Sequence, residues 1–305
     1  MTFSVGLGAD ALDAPMTGCF TSSLAVKSWL SLFPYDDRAD GQRLNFKHGD
    51  SRNPLGDSGR AACPRVFMIR KISFVIPVFN EEENLQRLYG EITAVATQLG
   101  YSYQILFVDD GSTDRSLTVI QELASLHPAV AYLAFARNAG QSAALYAGFQ
   151  HADGDVIITL DADLQNDPAD IPAMLRYYGD FDMINGWRIN RQDSLSKKIG
   201  SRIGNFVRNQ LTWESIHDTG CSLKVMNAQM LKRIKMYKGL HRFLPTLMRS
   251  EGARVIEVKV NHRPRLHGVS KYTNLQRGVE GFYDVIAVRW MIKRQLKIEI
   301  GENYG

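Results

Sequence analysis

Cysteine is scarce in this 305-residue chain, with Cys19, Cys63 and Cys221 an odd and widely spaced set. They give neither a zinc-ligand pattern nor a disulfide framework, so a reducing, cytoplasmic setting is expected. Long apolar runs are missing too. No stretch approaches the ~18 consecutive apolar residues of a membrane-spanning helix. Met1 to Thr21 also lacks the basic start and apolar core of a secretory signal. There is no internal repeat. The first predicted strand is followed by Pro77, Val78, Phe79, Asn80 and Glu81, with no Gly-x-Gly-x-x-Gly and no Gly-Lys-Ser/Thr. The glycine-rich phosphate cradles of dinucleotide dehydrogenases and P-loop ATPases are therefore absent. The basic residues lack interleaved aromatics on a repeated platform, which argues against nucleic acid as a partner.

The chain as a whole is 45% hydrophobic and 22% charged, a globular composition. Its net charge of +4 is mild, but the acidic clusters precede residue 170 and much of the basic excess follows it, which suggests an anionic ligand or surface meeting the second half. Residues 1–67 carry scattered Gly, Asp, Ser, Pro and Arg with one apolar patch around Trp29 to Phe33, too little burial to offset ordering entropy, and are expected to be a disordered extension. Met68 stands just before the first strand, and the natural start is expected there.

From Lys71 the pattern is regular. Strands are predicted at 72–76, 104–108, 130–135 and 156–160. Leu85, Leu88, Ile92, Val95 and Leu99 recur at helical spacing, Gly100 stops that helix, and Asn80 with Glu83 is expected to cap its start. Leu117, Ile120 and Leu123 mark a second helix, and a third, rich in small residues, runs to about Ala152. Alternating strands and helices make repeated βαβ units, hence an α/β fold with a mostly parallel sheet and right-handed crossovers.

The stretch Val156 to Gln165, VIITLDADLQ, is an apolar strand buried on both faces that ends in two carboxylates one residue apart. Alone, Asp161 and Asp163 read as a solvated turn. Glu81, Asp109 with Asp110, and Arg137 also follow strand ends, however, so these polar groups converge on the carboxyl edge, where such sheets bind ligands. Paired carboxylates without cysteine or histidine favour a hard divalent cation, Mg²⁺ or Mn²⁺, neutralising a phosphate-bearing substrate.

PVFNEEENL (77–85), VDDGSTD (108–114), RNAGQSAALYAG (137–148) and DADLQNDP (161–168), in this order and spacing, resemble family 2 inverting glycosyltransferases of the GT-A fold. The likeness is to the dolichol-phosphate mannose synthase and bacterial polyprenyl-phosphate glycosyltransferase branch. It continues through NGWRINRQDS (185–194), SRIGN (201–205), DTGCSLKVM (218–226) and RLHGVSKY (265–272). The resemblance implies a GT-A domain over 68–272 and a transfer from a nucleotide-sugar donor, UDP- or GDP-linked, to a polyprenyl-phosphate acceptor. It implies that Pro77, Glu81, Asp109, Asp110, Arg137 and Asp161 bind the donor. Asp161 and Asp163 match the Asp-x-Asp metal site, with Gln165 near enough to join. Arg188 and Arg191 match a mobile loop over donor and acceptor. Asp218, Gly220 and Lys224 match the acceptor side, and Arg265, Ser270 and Lys271 a phosphate-gripping loop.

An alcohol acceptor needs a general base, for which Asp218 is the best candidate. A lipid monophosphate, largely dianionic at neutral pH, needs cations instead, and Arg188, Arg191, Arg202, Arg263, Arg265 and Lys271 are there to supply them. Both acceptors stay open at this point, as does a non-catalytic nucleotide-sugar-binding protein. His262 and His267 read as turn residues, Cys221 as a small buried residue, and Lys224 as an acceptor-side group or an edge-strand charge. Residues 273–305 are expected to form an amphipathic helix in which Leu275, Val279, Phe282, Ile286 and Trp290 make one face beside Arg277, Arg289, Lys293, Arg294 and Lys297. That face either lies on an anionic membrane surface or packs on the catalytic domain. Peripheral attachment to the cytoplasmic face of a membrane, directly or through a membrane-protein partner, is the expected localisation.

Overall fold

A computed structural model describes residues 69–189, 208–209, 211–212, 216–264 and 274–296. The expected extension 1–67 and its start at Met68 lie outside them. Seven strands form one sheet in the order β3-β2-β1-β4-β6-β5-β7. They are β1 (Lys71–Val78), β2 (Ser102–Asp109), β3 (Val130–Ala134), β4 (Val156–Thr159), β5 (Met183–Arg188), β6 (Lys224–Asn227) and β7 (Val255–Val260). β1 pairs in parallel with β2 and β4, and β2 with β3. β6 runs antiparallel to both β4 and β5, while β5 and β7 are parallel.

Strands β1 to β4 are connected by α1 (Leu85–Leu99), α2 (Ser116–Leu126) and α3 (Gln141–His151). β1 is apolar on both faces because each is covered. Phe74 and Ile76 pack with Leu85, Leu88 and Ile92 of α1 and Ile120 and Leu123 of α2. Val75 belongs to the opposite core with Leu145 and Phe149 of α3. Small residues let α3 approach: a Cβ at Gly148 would collide with the Val75 side chain. Gly100 ends α1 at φ 72, as expected from sequence. Asn80 does not cap α1. Asn84 is the residue at its start, and Asn80, itself at φ 57, instead bonds to the loop after β2.

Beyond β4 come α4 (Ile171–Leu175), α5 (Ala228–Leu231) and α6 (Leu244–Ser250), and the C-terminal helix is α7 (Asn274–Arg294). Val285 and Val288 of α7 are buried in the second core with Phe243, Leu244, Leu247 and Met248. The face expected from spacing is therefore not the one that packs: Phe282, Ile286 and Trp290 are exposed. Among the described residues no helix is long and apolar enough to cross a membrane.

The connection from β1 leads outward through β2 to β3 and then returns to β4 on the other side of β1. Such a reversal opens a crevice at the carboxyl ends of β1 and β4, where open α/β sheets bind ligands.

Candidate active site

Two loops stitched together form one wall of this crevice. After β1, Asn80 accepts a bond from Thr113 N (2.8 Å) and donates its own N–H to Ser112 Oγ (3.0 Å). Glu81 N donates to Ser116 Oγ (2.8 Å), and the Glu81 carboxylate accepts from Asn84 Nδ2 (2.7 Å). Asp109, fully buried at the end of β2, accepts from Ser112 N through Oδ2 (3.2 Å). Its Oδ1 is buried and has no hydrogen-bond partner among the described residues. Pro77 lies in β1 just before this edge, opposite Val108.

Asp110, which the resemblance assigns to the donor, is bonded to a neighbouring loop. Its Oδ1 accepts from Ala139 N (2.7 Å), and its Oδ2 from Gly140 N (2.9 Å) and Asn138 Nδ2 (2.9 Å). Both oxygens thus hold the loop that leads into α3. Gly111, at φ 68, lets that loop close in: a Cβ there would sit 2.7 Å from the Arg137 carbonyl carbon. The Arg137 side chain is exposed on the same edge.

The opposite wall is the β4 end. Asp161 accepts from Gln141 Nε2 (2.8 Å), the first residue of α3. Burial and the neighbouring Asp163 push its pKa up to about 6, against the opposing pull of Ser222, Arg188 and Lys224. Asp163 is buried and accepts from Gln165 N (3.1 Å) across Leu164, which sits at φ 60. A left-handed conformation at a buried leucine is strain held in place by the surrounding structure, a feature that clusters at functional sites. Gln165 O accepts from Arg263 N (2.9 Å), which fixes the far end of the turn.

Arg188 is the last residue of β5, so it projects from the sheet instead of belonging to the expected mobile loop. It donates to both oxygens of the buried Asp218, at 2.7 Å from Nε and 2.8 Å from Nη2. Burial works against its charge, yet the Asp218 carboxylate more than offsets this and raises the guanidinium pKa. Gly220 makes room for the pair, since a Cβ there would lie 3.2 Å from Arg188 Nη2. Glu257 of β7 braces the same segment from below by accepting from Asp218 N (3.0 Å) and His217 N (2.8 Å).

Lys224 is not an edge-strand charge. It is buried on β6, inside the sheet, and its ammonium donates to Asn185 Oδ1 (2.9 Å), Thr219 O (3.3 Å) and Cys221 O. Burial lowers its pKa. Its bonds tie down the 218–221 turn that carries Asp218. Cys221 is, as expected, a small buried residue, and burial raises the pKa of its thiol. Arg263 is taken up by structure, paired with Glu91 of α1 (2.6 Å) and Asp167 (2.6 Å). His262 bridges to Asn166 beside it. Arg191, Arg202, Arg265, Ser270, Lys271 and His267 lie outside the described residues.

Sequence reasoning missed three residues here. Gln141 and Asn185 each stand inside a motif, and for Gln141 a polar side chain opening a helix at the carboxyl edge is a detectable signal. Glu257 gives none, because it acts only once β7 is paired with β5.

Among the described residues no three His, Cys, Asp or Glu side chains gather at one point. The donor set still fits a hard cation: burial and the adjacent Asp163 both raise Asp161, and a divalent ion held by the two carboxylates would favour their charged forms. Such an ion would take its remaining ligands from water and from a bound phosphate group.

Residues 73–235 match the family described as Glycosyl transferase family 2. A dodecaprenyl-phosphate galacturonate synthase of Rhizobium johnstonii is 36% identical over 241 residues, covering 77% of this chain and 70% of its own. An undecaprenyl-phosphate 4-deoxy-4-formamido-L-arabinose transferase of Pectobacterium carotovorum is 39% identical over 220 residues, covering 72% and 67%. Among solved structures, glucosyl-3-phosphoglycerate synthase of Mycobacterium tuberculosis, in complex with Mn²⁺, UDP and glucosyl-3-phosphoglycerate, shares the fold. Its TM-score is 0.55 at 15% identity, over 73% of this chain and 80% of that one. With its GT-A sheet, its crevice between β1 and β4 and these relatives, the chain belongs to glycosyl transferase family 2 and is a glycosyltransferase.

Proposed function

We propose that the protein moves a sugar from a nucleoside-diphosphate donor to a polyprenyl phosphate, with inversion and with the help of a divalent cation. The observation that carries this reading is the bidentate Arg188–Asp218 pair facing the Asp161 and Asp163 carboxylates. Asp218, the best base candidate, already accepts from Arg188 through both oxygens, so taking a proton from a hydroxyl would break a buried charge pair. A phosphate acceptor needs no such base. It needs a fixed cation, and Arg188 is held with Nε and Nη2 engaged and its Nη1 edge available to an anion. The names of the two bacterial relatives, with dodecaprenyl and undecaprenyl phosphate in them, support the same acceptor class.

On the donor side, the buried Asp109 Oδ1 offers an acceptor for an N–H of the base, beside Pro77 and Glu81. Asp161 and Asp163, with Gln165 adjacent, would hold Mg²⁺ or Mn²⁺. That ion, when bound, would stabilise the charge developing on the departing diphosphate. Gln141 orients Asp161, and the strained Leu164 turn fixes Asp163. Arg191, Arg202, Arg265, Ser270 and Lys271 complete the proposed grip on the acceptor phosphate, which would be presented at the cytoplasmic face of a membrane.

The test is a screen of UDP- and GDP-sugars with the purified full chain, Mg²⁺ or Mn²⁺ and a short polyprenyl phosphate, following release of UDP or GDP. Turnover that survives Asp163→Ala would refute the metal assignment. Asp218→Asn, which loosens the hold on Arg188, should weaken use of the phosphate acceptor and leave the acidic limb of the pH–rate profile in place, whereas loss of that limb in the variant would mark Asp218 as a base and the acceptor as a hydroxyl.

A further inference from the structure

His241 and Ser142 form a polar pair that the transfer itself does not use. His241 lies in the 3₁₀ turn Leu240–Phe243, and its Nδ1 is 2.6 Å from Ser142 Oγ in the first turn of α3. Ser142 is buried, and its hydroxyl also accepts from Gly239 N (3.0 Å). Burial, with Arg242 and Lys224 nearby, pulls the His241 pKa down to about 3, so the ring is uncharged at neutral pH. A hydroxyl that accepts from Gly239 N still has a proton to give, and an uncharged imidazole can take it at Nδ1.

Packing does not require this pair. Leu240 and Phe243 are buried in the second core with Leu145 and Phe149 of α3, so apolar contact already seats the turn on the helix. What the pair adds lies at the start of α3. Gly140 precedes that helix at φ 90 and supplies no side-chain cap. The first turn is held from outside instead, by Asp110 on the Ala139 and Gly140 N–H groups and by His241 on Ser142. Gln141 stands between these two anchors, and its Nε2 donates to Asp161 Oδ1 (2.8 Å). Fraying or rotation of the first turn would carry Gln141 off that carboxylate.

We propose that His241 is a positioning residue of the donor site, acting through the Ser142 hydroxyl to hold Gln141 on Asp161. Groups that orient a metal-binding side chain from behind typically change metal affinity or activity by about 10- to 100-fold when they are removed. Gln141 is such a group, and Ser142 with His241 stands one step further back. The inference rests on the reading of Asp161 and Asp163 as the carboxylates that hold the divalent cation.

Mn²⁺ binding by the purified full chain, read from the free-ion electron paramagnetic resonance signal with no substrate present, tests it alongside the kinetics of UDP or GDP release. Gln141→Ala should weaken Mn²⁺ binding about tenfold and Ser142→Ala about fivefold, with kcat falling to match and the KM for acceptor unmoved. The double variant should be no weaker than Gln141→Ala, because Ser142 acts only through Gln141. Replacements at His241 separate a positioning role from contact with a ligand. An asparagine oxygen reaches the place of Nδ1, so His241→Asn should bind Mn²⁺ within about twofold of wild type. His241→Gln, which reaches the place of Nε2, should match Ser142→Ala. Rescue by glutamine and not asparagine, additive losses at 141 and 142, or a lowered thermal midpoint with unchanged Mn²⁺ affinity would overturn the positioning role. Wild-type protein that binds no Mn²⁺ and turns over in EDTA would overturn the metal reading alone, and the pattern of rescue in kcat then decides the role of His241.

Discussion

Replacing Asp161 with asparagine should stabilise the protein at neutral pH while removing its turnover. Burial and the Asp163 charge raise the Asp161 carboxyl from 3.8 to about 6. Between those values the native state holds a proton that the unfolded chain has lost. Stability therefore falls as the pH rises through this window, and the whole penalty applies above about pH 6. A rise of this size corresponds to at most about 3 kcal/mol. Asp161 keeps some solvent contact, so about half of that is expected, or a gain of roughly 3–6 °C in thermal midpoint for a domain of this size. Asparagine retains an oxygen to accept from Gln141, so the gain isolates the charge. Scanning calorimetry of both proteins in metal-free buffer should show the gap at pH 8 and its narrowing toward pH 4. Added Mn²⁺ should raise the midpoint of the wild type and leave the variant unmoved. A variant less stable than wild type at pH 8, or a gap independent of pH, would refute the reasoning.

Gly148→Ala should destabilise by about 1–3 kcal/mol, read by urea denaturation, because the new methyl meets the Val75 side chain in a packed core. Gly220→Ala should lower kcat by about tenfold or more with little change in midpoint, since its Cβ would displace Arg188 Nη2 from 3.2 Å. Asp110→Ala strands the donors on Asn138, Ala139 and Gly140. It should cost about 1–3 kcal/mol and raise the KM for donor, measured by UDP or GDP release.

Much of the donor half was legible in the chain. Apolar runs of strand length, helices of period 3.6 and acids placed just after each strand are local signals, and β1 to β4 with α1 to α3 follow from them. The placement of Asp109 and Asp161 on one edge needs only the parallel alternation. The later strands were not legible in the same way. β5, MINGWR, and β6, KVMN, are short and carry polar or small residues. They are strands because each fills a place between partners in the sheet.

Sequence by itself determined the α/β alternation, the edge on which the chemistry gathers and the family, because these depend on periodicity and on motifs read along the chain. Only tertiary structure decided what each polar group does there. Asp110 became a loop anchor and Arg263 a tie between Glu91 and Asp167. Lys224 became a buried cation and Asp218 the partner of Arg188. It also turned the aromatic stripe of α7 outward, because Val285 and Val288 matched the core that the sheet offered. The physical reason is common to all of these: a charge or an apolar face is satisfied by whatever lies nearest in space, and those neighbours are brought close by pairing and packing between distant parts of the chain.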